Sequence, residues 1–258
     1  MVGTSNSSLM GCEVQVTASG YVPAVRTITH TTSMLGTVDV GVLTLRRVAV
    51  SEETSIRATS LLAPGSARKE FEKGLTELQQ NHSELGIQHL EKAVSQYDRF
   101  AAAWYELGKV YAANSPVRAR HAFEKAIAAD SHFAEPYVRL AGLQLGSSDH
   151  LGAIESASKA LQIEPRNKLA HFIRAAANFN LDRIDEAESN ARQAERYSEG
   201  SLPQLHALMA SILLKKEDYP NALREMQAYL KEDPQGLYAE QIKRNLEQLI
   251  SAGIHQEQ

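Results

Sequence analysis

The sequence predicts a mainly α protein: an α-solenoid of about five helix-turn-helix units plus a C-terminal capping helix, preceded by a small, partial β-sheet module. Three observations carry this expectation. A pattern of small and large residues recurs every 33 to 35 positions between Ala67 and Gly236. An apolar stripe at helical spacing follows it, formed by Tyr238, Ile242, Leu246, Leu249 and Ile250. Residues 1–50, by contrast, carry the two-residue alternation of strands.

The β-module comes first. Glu13–Ser19 alternates polar and apolar residues, Gly20-Tyr21 reads as a turn, and the β-branched stretch Ala24–His30 is a second strand. Val38–Val48 is a third, with Gly41 breaking its alternation as a bulge would. The strand opening near Gly11-Cys12, the turn Ala18-Ser19-Gly20-Tyr21 and the closing strand Asp39–Leu45 resemble the second half of a carboxypeptidase regulatory-like β-sandwich. Sandwiches of this kind have about seven strands. Three are marginal alone, so the resemblance implies a chain that starts inside the domain. Leu9-Met10-Gly11-Cys12 also resembles a bacterial lipobox. A lipobox follows a cationic start and ~7–15 apolar residues. MVGTSNSS supplies neither, so Cys12 reads as a small apolar residue opening a strand. Residues 51–66 are Ser/Thr-rich, contain Leu61-Leu62 and end in Pro64-Gly65-Ser66, as a linker does.

The repeat units are expected at 67–100, 101–133, 134–167, 168–202 and 203–236. In the second unit, Trp104, Leu107, Gly108 and Tyr111, then Ala119, Phe123 and Ala126, have the spacing of the two helices of a tetratricopeptide repeat. The resemblance to that family covers residues 67–236 and implies a superhelical array that binds protein or peptide. Small residues stand where paired helices cross: Gly74, Gly86 and Ala93; Gly108, Ala119 and Ala126; Ala141, Ala153 and Ala160; Ala175, Ala187 and Ala194. A larger side chain at such a crossing overpacks it by ~1–3 kcal/mol. Ser115-Pro116 reads as an N-cap and a first-turn proline. Glu164-Pro165 and Asp233-Pro234 read as the ends of second helices. The fifth unit departs from the pattern, with Tyr229 at the small site. Terminal repeats are often atypical because they meet a cap, and residues 237–258 supply a capping helix, over 238–251, and a tail.

Composition narrows the function classes. The 258 residues are 43% hydrophobic and 22% charged, with a net charge of −4, so no basic field invites nucleic acid. A single cysteine excludes an internal disulfide and a cysteine-cluster zinc site. No apolar run approaches the ~20 residues of a transmembrane segment.

Signals of chemistry are few. Ser156-Ala-Ser-Lys159 and Ser66-Ala-Arg-Lys69 match Ser-x-x-Lys but lack the companion Ser-Asp-Asn and Lys-Thr-Gly elements. His82 and His89 fall in a turn and a second helix, and no His-Glu-x-x-His or phosphate-cradling loop is present. No catalytic residue, metal or cofactor is therefore expected. The concave face lined by first helices remains. From the repeat register, its candidate peptide-binding residues are Tyr105, Lys109, Arg139, Phe172, Ala176, Phe179 and Asn180, with Phe71, Leu75, Val138, Gly142, Ser211 and Leu214 alongside. Apolar anchors would supply affinity, and the cations would orient an acidic group. The carboxylate clamp of chaperone-binding repeat proteins is not expected, because Phe71, Leu75 and Glu106 occupy its positions and only Arg139 fits. The leading expectation is a non-enzymatic scaffold. Two others follow from the front end: a regulatory part of an envelope enzyme, or a carbohydrate-binding envelope module with the repeats as spacer. Sandwich-then-repeat order resembles bacterial cell-envelope proteins, which implies a periplasmic or envelope location.

Overall fold

The computed structural model describes residues 62–198 and 202–253, together with the backbone of four short strands. Strand β1 (Glu13–Val16) runs antiparallel to β3 (Ala24–Thr27), with Glu13 opposite Thr27. Strand β2 (Tyr21–Val22), read from the sequence as part of a turn, pairs with β4 (Arg46–Arg47). These pairings do not amount to a β-sandwich. The rest of the expected module, Cys12, residues 51–61 of the linker and residues 254–258 lie outside the described residues.

Eleven helices follow among the described residues. They are α1 (Gly65–Gln79), α2 (Ser83–Gln96), α3 (Ala101–Ala112), α4 (Pro116–Ala129), α5 (Ala134–Gly146) and α6 (His150–Ile163). Then come α7 (Lys168–Asn180), α8 (Ile184–Arg196), α9 (Pro203–Lys215), α10 (Tyr219–Glu232) and α11 (Ala239–Ser251). The chain divides into two compact units, residues 1–103 and 104–258.

The turn inside each helix pair has a recurring chemistry. Asn81, Ser148, Asp182 and Glu217 all adopt positive φ, between 59° and 63°, just past the ends of α1, α5, α7 and α9. At each, two backbone bonds close the helix end. The His82 N–H donates to Glu77 O at 2.9 Å and the Asn81 N–H to Leu78 O at 3.0 Å, and the same pair recurs at Asp149, Arg183 and Asp218. This is the Schellman arrangement, which glycine occupies without steric cost. Here four residues with side chains hold it. Glu217→Gly is therefore expected to stabilise the chain by ~0.5–1 kcal/mol, read as a rise in the urea midpoint at constant slope. The second pair, a residue shorter, turns without a positive-φ residue.

Helix starts are mixed. The side chains of Asp149, Asn167 and Asp218 accept N–H bonds from Gly152, Ala170 and Asn221. Ser115 sits at the N-cap position as expected, yet its side chain makes no capping bond; Pro116 at the first helical position presets the turn instead. Glu164 and Asp233 are the C-cap residues of α6 and α10, each directly before its proline.

In the first unit, α1 and α2 close on each other through glycine. A Cβ on Gly74 would lie 2.8 Å from Leu90 Cγ, and one on Gly86 would lie 2.6 Å from Leu78 Cδ2. A polar tie crosses the same pair: His89 Nδ1 lies 2.7 Å from the Glu70 carboxylate, which Lys73 also contacts at 2.7 Å. Lys73 first, then His89, lower the Glu70 pKa to about 2.

In the second unit, the cores sit at the junctions between pairs. Ala141, Ala153, Ala157, Ala160, Ala170 and Ala177 form one cluster with Val138 and Ile173, drawn from α5, α6 and α7. Ala175, Ala187, Ala191 and Ala194 form the next with Leu205, Met209 and Ile212 of α9. Each pair thus completes its core only against the following first helix, which is why isolated repeats do not fold. The last cluster replaces the small residue with Tyr229, 1% exposed, beside Ala239 and Ile242 of α11. The Tyr229 hydroxyl accepts the Tyr238 N–H at 3.0 Å. The capping stripe is only partly covered: Ile242 is buried, while Ile250 is 47% and Tyr238 44% exposed.

A second Glu–His tie joins α9 to α10, with the residue types exchanged relative to the first unit. His206 Nδ1 lies 2.7 Å from Glu225, and Nε2 lies 3.7 Å from Glu232. The hydrogen bond to Glu225 raises the His206 pKa above its ordinary 6.5 against the opposing effect of burial. A raised folded-state pKa gives stability that is fully present below 6.5 and is lost as pH rises through the folded value. The thermal midpoint is expected to fall from pH 6 to pH 8, and His206→Gln is expected to flatten that slope. An unchanged slope in His206→Gln would remove this tie as the cause.

Candidate functional site

First helices α5, α7 and α9 contact one another in succession, and α11 packs on α10. Between α7, α9 and α11 lies a cavity of about 390 Å³. One wall is Phe172, Ala176, Phe179 and Asn180 of α7. These sit at four-residue and three-residue spacing, so one face of the helix presents them together. The floor is α9, where Gln204, Leu208, Ser211 and Leu214 repeat the same spacing. The far wall is α11, with Tyr238, Gln241, Ile242 and Asn245. Its size falls in the range of ligand pockets, ~300–1,000 Å³.

Phe172 and Phe179 serve two purposes. Both are partly buried against the junction core, and both line the cavity. Lys215 Nζ stands 5.8 Å from the centre of the Phe179 ring and is ion-paired to Asp182. Lys216 bridges Asp185 at 2.8 Å and Glu188 at 2.7 Å, fastening the end of α9 to α8. Its hydrogen bonds to those carboxylates raise its pKa and lower theirs.

The structure thus brings together four of the seven residues expected from sequence: Phe172, Ala176, Phe179 and Asn180. The other three lie elsewhere. Tyr105 packs its ring 5.0 Å from that of Phe133 and 6.0 Å from that of Phe123. Lys109 is paired to Glu106 at 2.8 Å and sits 5.2 Å over the Tyr105 ring. Arg139 is exposed on α5 and does not line the cavity. Phe71, in the first unit, stacks on Phe100 with ring centres 4.8 Å apart.

Other candidate chemistry resolves into structural bonds. Ser156 is 8% exposed and donates to Gln144 Oε1 at 2.7 Å, an ordinary tie between α6 and α5. His82 pairs with Glu77 at 2.9 Å. Among the described residues no group of three or more His, Cys, Asp and Glu could hold a metal, and no helix is long and apolar enough to cross a membrane. Sequence reasoning missed Gln204, Leu208, Gln241 and Asn245. The available signal was their helical spacing with Ser211 on α9 and with Tyr238 on α11.

Residues 71–134 match the family model of the tetratricopeptide repeat. Solved structures extend the likeness over most of the helical region. PilF of Pseudomonas aeruginosa superposes with a TM-score of 0.63 at 19% identity, over 72% of this chain and 85% of that one. The fold is that of tetratricopeptide repeats. The protein MamA gives 0.58 at 15% identity, over 66% of this chain and 93% of that one. YrrB gives 0.58 at 20% identity, over 69% and 92%. At these identities the likeness concerns the fold alone. No curated protein matches this chain. In tetratricopeptide terms the cavity lies on the first-helix face of the last two repeats, closed by the helix that follows them.

Proposed function

We propose that this chain is a non-enzymatic interaction scaffold whose first-helix groove binds a protein or peptide segment. The units 67–100, 101–133, 134–167, 168–202 and 203–236 are its building blocks, with residues 51–66 as linker. The observation that carries the reading is the cavity between α7, α9 and α11, where Phe172 and Phe179 keep part of their rings out of the core. Partly buried aromatics held on rigid helices are the usual anchors of such interfaces. YrrB, one of the structures of the same fold, is a tetratricopeptide-repeat protein with an unusual peptide-binding site. Tetratricopeptide folds serve in general to hold protein or peptide partners.

The test compares affinity capture by the wild type and by Phe179→Ala/Leu208→Ala, with matched thermal melts. Partners specific to the wild type are expected to disappear. Identical partner lists from two equally folded proteins would sink the groove assignment. Tyr105 is left intact, because its packing on Phe133 would confound binding with stability.

A further inference from the structure

The cavity's lining is neutral. No Asp, Glu, Lys, Arg or His contributes to it, although the chain is 22% charged. Lys215, the cation near Phe179, is occupied by Asp182. Arg244 reaches Gln241 Oε1 at 2.9 Å but does not line the space. An acidic or basic side chain entering here would shed water and meet no opposite charge among the lining residues, which is unfavourable.

Four of the six polar side chains that line it are carboxamides, and the other two are the hydroxyls of Ser211 and Tyr238. Gln241 is engaged at both ends, its amide nitrogen donating to Asn245 Oδ1 at 2.8 Å while its oxygen accepts from Arg244. Asn245 therefore retains an NH2 donor. The Ser211 hydroxyl turns back to Ala207 O at 2.9 Å. Among the described residues, the side-chain amides of Asn180 and Gln204 make no hydrogen bond, and both are exposed. A free carboxamide offers an acceptor and two donors side by side, the complement of a peptide group.

Between these amides lies the apolar floor of Leu208 and Leu214, facing Phe172 and Phe179. We infer that the cavity receives an extended, uncharged peptide segment, seating one aliphatic or aromatic side chain on this floor while Asn180, Gln204 and Asn245 pair with the segment's main chain. The inference rests on the groove reading above and narrows it. It also replaces the acidic partner expected when Lys109 and Arg139 were placed in the groove, because neither lines the cavity.

Three sets of fluorescent octapeptides, acetylated and amidated, test it against the full chain by polarisation. The first carries Leu, Ile or Phe at the centre, flanked by Gly, Ser, Thr and Asn. The second has Asp or Glu at the centre, the third Lys or Arg. The first set is expected to bind, and a central charge of either sign to weaken binding at least ~10-fold. Asn180→Ala/Gln204→Ala is expected to weaken the first set ~10-fold without moving the melting temperature. Leu208→Glu is expected to turn the preference toward the lysine set, a gain that misfolding cannot produce.

Each other outcome overturns the inference, and the failures are distinguishable. Preference for the acidic set, abolished by Phe179→Ala, leaves the groove standing and refutes a neutral ligand. Binding of the first set that ignores every cavity substitution refutes the groove itself. Absence of binding to all three sets by the wild type refutes the peptide. Self-association that Leu208→Glu abolishes would make the occupant a second copy of the chain.

Discussion

Tyr229→Ala is expected to lower stability by ~3–5 kcal/mol, the range for truncating a fully buried aromatic. The ring is 1% exposed, and its neighbours Ala207, Ala222 and Ala239 are small and fixed on helix backbones. These alanines cannot reach into the space left behind, so only longer members of the cluster such as Leu213 and Met226 can adjust, and much of the void persists. Tyr229→Phe isolates the hydroxyl that accepts the Tyr238 N–H and is expected to cost ~1 kcal/mol. Urea unfolding at constant slope separates the two values. The consequence reaches the cavity, because the helix that Tyr229 anchors, α11, carries Gln241 and Asn245 and follows directly on Tyr238. A stable Tyr229→Ala protein would mean that the last junction is held elsewhere.

Gly108→Ala is expected to destabilise by ~1–3 kcal/mol, although glycine-to-alanine inside a helix ordinarily stabilises by ~1 kcal/mol. The reversed sign has a specific cause. A Cβ at this point of α3 would fall within 2.5 Å of Phe123 Cδ1, and Phe123 is itself 1% exposed and unable to swing aside. Helices α3 and α4 would have to part. Gly142→Ala is the control: its Cβ would meet only Ile173 Cδ1 at 4.0 Å, so the ordinary gain in stability is expected. Adding Phe123→Leu to Gly108→Ala should recover part of the loss, and strict additivity would exclude the contact as the cause.

The helical part was legible because tight crossings leave a local mark. Gly108, Ala119 and Ala126, spaced as they are, announce two helices in contact before any coordinates are known. The aberrant Tyr229 pointed to a cap for the same reason, and the apolar stripe from Tyr238 supplied one. The α7 wall of the cavity was legible because helical spacing decides it alone, placing Phe172, Ala176 and Phe179 on one face. Tyr105 and Lys109 lie elsewhere because a register fixes the face a side chain occupies and not the partner it takes. Phe133, beyond the end of α4, draws the Tyr105 ring away, and Glu106 takes the charge of Lys109. Asn180 carried a signal that sequence could not interpret, since an exposed amide gains meaning only when Gln204 and Asn245 share its cavity.

The exchange of alanine for Tyr229 also bears on how such a chain can change length over evolutionary time. Junctions closed by Ala160 and Ala194 accept a following first helix and offer another like themselves. A duplicated block of 34 residues placed ahead of Pro203 would meet compatible surfaces on both sides. Placed after Gly236, the same block would have to replace the backbone donor that Tyr238 now offers the Tyr229 phenol. Internal junctions are thus closed by interchangeable alanines, whereas this last one is closed by a phenol fitted to the particular helix that follows it.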